Sequence, residues 1–452
     1  MRYCKRCVQP DTRPGIYFSE NGICGACLWK EEDVDWDSRH KELVKIAEDA
    51  KKKGRDYDCA VGVSGGKDST FQALYARDVL GLRTLLVNSE PEGITDVGRY
   101  NIENLKQQGF DVISLRPNPR LMKQLIKRDF YKHLNPIKIT EHSLYASTYI
   151  VADNFDIPLI IQGENIGLSY GTSRTGLGVG GDALKACEGD TIKGGIQEYI
   201  DDGFSKDDLY LFHYDADKLR KKGTVGVWMN YYVKDYSPQH NLKFSQQHGL
   251  KIRPKDINLY NLGTYNRFSQ MDCIILEVNQ LFKYEKYGFG QTTDHVCADI
   301  RYSLITRDEG IALVREFDGK CGKEHIDDFC DLMEIDEAEF WRVVHKFRGN
   351  MWGRTRKRDW KVGNPIWEQG RGWERVDVSE VIQKIREFEA SDGFIGEEAN
   401  PLNVVMKYSR QMAEIKAQEE RVREVYQKNL KKLKKGKLTS LLVSQEGIEI
   451  SE

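Results

Sequence analysis

The hexapeptide Ser64-Gly65-Gly66-Lys67-Asp68-Ser69 combines residue types that together handle an anion. Two glycines let the backbone approach a ligand with no Cβ in the way. Lys67 adds a cation and Asp68 a carboxylate, and the free N–H groups of a following helix would face the bound group. The spacing is too short for the nucleoside-triphosphate loop that has four residues between its glycines and a following Gly-Lys-Ser/Thr. The plain alternative is a glycine-rich turn that packs a helix on a sheet. A second set is cysteine: Cys4-Lys5-Arg6-Cys7 and, sixteen residues on, Cys24-Gly25-Ala26-Cys27. Two such pairs suit one tetrahedral, structural zinc, with a redox dithiol or a labile iron–sulfur cluster as the alternatives. A third set, Asp294, His295, Asp299 and Arg301, is spaced so that some members share a helical face. For these the plain alternative is a satisfied structural network.

The elements around the hexapeptide follow from hydrophobic pattern. Cys59–Val63 is a short apolar run that predicts a buried parallel strand. Thr70–Ala76 carries apolar residues at helical spacing, and Gly81 closes the segment as a C′ glycine. Further strands are expected over Leu82–Ser89, Phe110–Leu115 and Pro158–Gly163. Ile102 and Leu105 lie on an intervening helix that ends near Gly109. Strands alternating with helices at these intervals predict an α/β fold with a doubly wound parallel sheet. Ligands in such sheets sit at the carboxyl ends of strands. That places Ser64, Gly65, Gly66, Lys67, Asp68 and Ser69, then Asn88, then Gly163, Glu164 and Asn165 around one crevice as candidate cofactor-binding residues.

The rest of the chain is less explicit. Residues 166–200 are glycine-rich and read either as a lid or as a plain loop. From 201 to 270 the signal weakens, with Tyr231-Tyr232-Val233 as a possible strand. Gly288 and Gly290 break a helix ahead of the 294–301 cluster. Residues 305–347 read as small helices with Phe340, Trp341, Val344 and Phe347 as a core stripe. Residues 348–375 interleave Arg348, Arg354, Arg356, Lys357 and Arg358 with Trp352, Trp360, Trp367 and Trp373. Such a segment suits a nucleic acid, a sugar or its phosphate, or a docking surface. Residues 402–435 are expected to form a peripheral or oligomer-forming helix ending in a lysine run. The domain boundaries expected are 1–35 for the cysteine module, 36–240 for the sheet domain, 241–375 for a mainly helical substrate or partner region, and 376–452 for a helical extension.

At 452 residues the chain can bury a large core. A formal charge of -2 argues against a general polyanion binder and hence against nucleic acid. Mean hydropathy of -0.59 and 31% charged residues indicate a soluble protein. No apolar run reaches the ~18 residues of a membrane span, and the opening residues do not read as a signal peptide. A cytoplasmic location is therefore expected, with the ten cysteines as metal ligands, core residues or reactive thiols.

The hexapeptide resembles the pyrophosphate loop of the N-type ATP pyrophosphatases. Taken with Tyr3–Cys7, Pro10–Gly15, Gly22–Cys27, Asn101–Leu105, Gly163–Asn165, Lys286–Gly290, Thr293–His295, Asp299–Arg301, Phe317–Lys320, Phe340-Trp341 and Lys346–Arg348, it resembles the N-acetyl sugar amidotransferases of bacterial surface-polysaccharide and flagellin-sugar biosynthesis. The likeness runs from residue 1 to about 360. The chain departs from that pattern at Gln291, where the family carries a basic residue, and beyond about residue 375. The resemblance implies that ATP adenylates the acetamido oxygen of a sugar, often a nucleotide-linked one. Ammonia then displaces AMP to give an acetamidino group. Lys67 and the loop amides would neutralise the departing pyrophosphate, and Asp68 would hold Mg²⁺. Asp294 or His295 would take a proton from the incoming ammonia, and Arg301 would grip the sugar nucleotide. No glutaminase nucleophile is evident, so the resemblance implies a separate glutaminase subunit that supplies the ammonia. Two rival readings stay open: a tRNA-modifying enzyme that adenylates a base carbonyl, and a non-catalytic nucleotide-sensing protein.

Overall fold

Five short apolar runs, each too short for a stable helix and rich in β-branched residues, meet as a parallel sheet. A computed structural model describes residues 1–172, 180–186, 192, 194–356, 359–369, 372–391, 442–444 and 447–449. The strands are β1 (Cys59–Val63), β2 (Thr84–Ser89), β3 (Asp111–Leu115), β4 (Leu159–Gln162) and β5 (Val225–Trp228). They pair in the order β3-β2-β1-β4-β5, every neighbour parallel. The order reverses between β1 and β4, which opens a crevice at the carboxyl ends of those two strands.

Before the sheet come α1 (Gly25–Lys30) and α2 (Trp36–Lys53). Within it lie α3 (Lys67–Leu74), α4 (Asp96–Gln107), α5 (Pro119–His133), α6 (Lys138–Asn154) and α7 (Ile166–Tyr170). Short helices follow: α8 (Ala183–Ala186), α9 (Gln197–Asp201), α10 (Ala216–Lys222) and α11 (Met229–Tyr232). Next come α12 (Pro238–Gln247), α13 (Leu259–Leu262), α14 (Ile275–Tyr287) and α15 (Gln291–Arg301). The series ends with α16 (Arg307–Phe317), α17 (Lys323–Met333), α18 (Glu337–Lys346), α19 (Ile366–Gln369) and α20 (Val378–Ala390). A hairpin of β6 (Trp352–Arg354) and β7 (Trp360–Val362) interrupts them.

The expected strand at Tyr231–Val233 is not formed. Val225–Trp228 is the run that pairs with β4, and the two tyrosines close the short helix α11 behind it. The break expected at Gly288 is present: this residue closes α14 in the left-handed region, φ +74°. Residues 402–435 lie outside the described residues, as do Lys357, Arg358 and 173–179, 187–191 and 193 of the glycine-rich stretch.

Met1–Arg77 and Leu82–Ile395 form one compact unit, and Asp78–Gly81 with Gly396–Glu452 a second. In the second, the hairpin β8 (Leu442–Ser444) and β9 (Gly447–Glu449) is described. Among the described residues of the first, three apolar clusters bear on the site. One covers the sheet through Leu85, Val87, Tyr149 and Ile160. Another joins α5 to α14, α17 and α18 through Phe130, Phe282, Phe329 and Phe340. The third packs the four cysteines of the N-terminal module against Val296, Ile311, Val314 and Ile385 of the C-terminal helices. The stripe expected on α18 is therefore core, with Phe340 and Val344 fully buried and Trp341 and Phe347 at its margin.

Candidate functional site

Val63 ends β1 at the switch point, and the chain turns through Ser64–Gly66 into α3. Gly65 has φ +83°, and a Cβ there would lie 2.7 Å from the Gly98 carbonyl oxygen. Glycine is required on both counts. Gly66 is the N-cap of α3, and no side chain caps that end of the helix. Lys67 is buried, and its Nζ donates to Asp68 Oδ2 at 2.7 Å.

The turn is held by residues that the sequence reading did not single out for the site. Asn101 Nδ2 donates to the carbonyls of Gly65 and Lys251, each at 2.9 Å. Asn241 Nδ2 donates to Asp68 Oδ1 at 2.7 Å, and Ser245 Oγ to the Lys67 carbonyl at 2.8 Å. Asn241 and Ser245 come from α12, in the stretch where sequence signal was weakest. Both are fully buried, which no local pattern announces.

The second wall is the end of β4. Gly163 leaves no room for a Cβ beside Gln72 and Tyr236. Glu164 follows. Burial pushes its carboxyl up and the Asp68 charge pushes it further, while Ser169, Lys67 and Arg301 act in the opposite sense. These groups therefore share one electrostatic environment. Asn165 caps α7 by accepting from Gly167 N at 2.9 Å, and its Nδ2 is a buried donor without a partner. Asn88, at the end of β2, donates to Ser114 Oγ at 3.3 Å. Ser89 is joined to Ser143 of α6 at 2.9 Å.

The 294–301 cluster lies on α15, whose N-terminus is capped from afar. Asp318 accepts from Gly290 N at 2.8 Å and from Thr293 Oγ1 at 2.7 Å. The four polar residues divide between two faces. Asp294 and Arg301, two turns apart, face the α7 segment: Arg301 Nη2 donates to the Ser169 carbonyl at 2.9 Å. Asp294 accepts from Arg13, and from Lys283 Nζ at 2.6 Å. Burial would raise the Asp294 carboxyl, but Arg13 and Lys283 outweigh it and leave it below the usual range. His295 and Asp299 face the 264–265 segment. Thr264 Oγ1 bonds His295 Nδ1 at 2.8 Å, and Tyr265 and Gln239 donate to Asp299. Burial lowers the His295 imidazole to about 3 and raises the Asp299 carboxyl to about 6. Arg13 and Lys283 are the functional candidates missed here. Arg13 stood in view between the cysteine pairs, but nothing in one dimension aims it at Asp294. Gln291 is buried and donates to the Leu262 carbonyl, so its side chain faces the protein interior.

All four cysteines of the N-terminal module are buried, with their sulfurs within 4.8 Å of one another. Cys7 and Cys24 sulfurs are 3.7 Å apart. Zinc–thiolate bonds of ~2.3 Å in a tetrahedron separate sulfurs by about 3.8 Å, so the cluster could hold a metal such as zinc. Hydrogen bonding from Cys24, Cys27 and Cys7 pulls Cys4 toward the thiolate. Backbone N–H groups of Cys24 and Gln9 point at Cys4 and Cys7 sulfurs, at 3.3 and 3.5 Å. The module docks beside the crevice: Tyr17 N donates to the Gly171 carbonyl at 3.0 Å. A Cβ on Gly171 would overlap the Ala26 amide. For Gly171 the glycine serves close packing rather than mobility.

Among the described residues of the basic and aromatic segment, the most buried arginine is already paired. Arg348 Nε donates to Glu285 at 2.7 Å, with its guanidinium over Trp352 and Trp360. Arg354 and Arg356, by contrast, are exposed. No helix among the described residues is long and apolar enough to cross a membrane.

Comparison with known proteins bears on the C-terminal half. No curated protein matches the chain. Residues 262–372, which include α14 to α18 and the Asp294–Arg301 cluster, are similar to the family described as LPS biosynthesis protein WbpG-like, C-terminal domain.

Proposed function

We propose that this chain is an ATP-dependent amidotransferase. It adenylates the acetamido carbonyl of an N-acetylated, nucleotide-linked sugar and lets ammonia displace AMP, in the biosynthesis of a bacterial surface glycan. The observation that carries the reading is the Ser64–Ser69 turn: a glycine-backed, uncapped helix start with a buried lysine, at the switch point of a parallel sheet. The similarity of residues 262–372 to an LPS biosynthesis family supports the substrate class.

An amide oxygen is a poor leaving group, and AMP is a good one. The turn amides and Lys67 bind the β,γ-phosphates and stabilise the charge that develops on departing pyrophosphate. Asp68, with Glu164 beside it, supplies carboxylate oxygens suited to Mg²⁺, which would neutralise the phosphates when bound. The Asp68 effect on Glu164 is the like-charge tension that a cation relieves. The acceptor lies against α7 and α15, where Arg301 and the orphaned Asn165 amide offer donors. Asp294, held by two cations, is a poor proton acceptor and orients the site instead. His295, lowered to about 3 by burial and turned to the 264–265 segment, is no better a base, and the strongly basic amidine product retains the proton that the attacking nitrogen brings. Ammonia comes from a separate glutaminase subunit.

The test is pyrophosphate release from ATP and ammonium across a panel of N-acetylated sugar nucleotides, with the product weighed. Oxygen replaced by NH lowers product mass by about one unit, and AMP accumulates. Accumulation of ADP, or no turnover with any acetamido sugar, removes the proposal. Equal use of glutamine and ammonium by the purified chain removes the glutaminase partner. Tight, salt-sensitive tRNA binding would favour the base-modifying alternative.

A further inference from the structure

Arg13 belongs to the loop between the two cysteine pairs, yet its side chain reaches the crevice. Only 12% of that side chain is exposed. Its guanidinium lies between two rings, 4.8 Å from the Tyr170 centroid and 4.7 Å from that of Phe289. One edge donates to Asp294. The loop around it is pinned on both sides: Thr12 Oγ1 donates to the Tyr287 carbonyl at 2.6 Å, and Tyr17 N to Gly171 O. Tyr170 closes α7, five residues after Asn165, and its hydroxyl feels the Glu164 charge more strongly than any other influence. Asp294 opens the face of α15 that also carries Arg301. Three segments distant in sequence therefore converge on one guanidinium.

We infer that Arg13 is a positioning residue of the active centre, through which the cysteine module sets Tyr170 and Asp294 and so shapes the acceptor side of the crevice. The reading of that side as an acceptor site rests on the amidation proposal. Arginine suits the place because a planar cation offers two faces to rings and an edge to a carboxylate, which an ammonium cannot do together. A simple staple between segments is the rival account. Against it stands Arg13 Nε, a fully buried donor with no partner. Burying an unsatisfied donor is unfavourable, so the arrangement is tuned to where the guanidinium must lie rather than to its own stability.

The experiment compares full-length wild type with Arg13→Lys and Arg13→Ala. Metal content, ATP affinity, steady-state kinetics and amide exchange are read on each. In Arg13→Ala, exchange over residues 164–172 and 289–296 should quicken at least tenfold while residues 64–69 are unchanged. Metal content should be kept, and ATP affinity should stay within twofold. KM for the acetamido substrate should rise tenfold or more, with Arg13→Lys recovering part of the loss. Loss of metal, or an equal loss of ATP affinity, makes Arg13 a structural staple and overturns the inference, as does unchanged exchange. If exchange responds as stated but wild type forms no AMP with any acceptor, the coupling stands and the amidation reading fails.

Discussion

Asp68 and Asp294 are each held by two donors, but the holding differs. Asp68 accepts from Lys67, its neighbour in the chain, and from Asn241, and is 36% exposed. Asp294 accepts from Arg13 and Lys283, both brought from elsewhere in the chain, and is 14% exposed. A partly wet carboxylate beside one cation can exchange partners at small cost. A buried one between two cations cannot, because removing it strands both charges. The first suits a group that changes partners. The second suits a framework that must not move.

The contrast is open to breakage, beginning with the module that carries Arg13. Structural zinc is worth on the order of 10 kcal/mol to small modules. Cys24→Ser should therefore release metal and unfold the N-terminal module, seen by metal analysis and thermal melting. A variant that melts with wild type would remove the metal from the argument. Next, Asp294→Asn should destabilise the chain by about 3–5 kcal/mol in denaturant titration, since two buried cations lose their partner. Asp68→Asn should lose no more than about 1 kcal/mol of stability, yet slow pyrophosphate release by roughly 10²–10³-fold. Should the two variants behave alike in both assays, the distinction is void. Gly65→Ala, which must hold φ +83° against the Gly98 carbonyl, is expected to lose ~1–3 kcal/mol.

A further effect is in pH. The His295 imidazole is lowered to about 3 by burial, below its ordinary unfolded value of about 6.5. Between those values the unfolded chain binds a proton that the folded chain does not. The His295 contribution is thus complete above pH ~6.5 and is lost as pH falls toward 3, by at most ~1.4 kcal/mol per pH unit. Comparing wild type with His295→Gln between pH 7 and 4 isolates it. An imidazole resonance that titrates near 6.5 would refute the buried, neutral assignment.

Much of the sheet was legible. Five-residue apolar runs such as Cys59–Val63 announce their strands, and the glycines of Ser64–Ser69 announce the turn after the first. The pattern failed at Tyr231–Val233, where β-prone tyrosines lie one element past the strand that pairs. It failed again over α12, because a helix buried on a polar face shows no clean apolar stripe. Its Gln239, Asn241 and Ser245 are buried as partners for Asp299, Asp68 and Lys67. Spacing placed Asp294, His295, Asp299 and Arg301 on one helix. It could not say that they divide between two faces with different partners.

By itself the amino-acid order determined what is local: the cysteine pairs, the glycine turn, the strand that feeds it and the helix that leaves it. These depend on backbone freedom, side-chain period and residue type over a few positions. Tertiary structure alone decided that Arg13 sits between Tyr170 and Phe289, that Asn241 holds Asp68, and that His295 is dry. Each depends on charge and burial summed over segments hundreds of residues apart, and no local pattern encodes that sum.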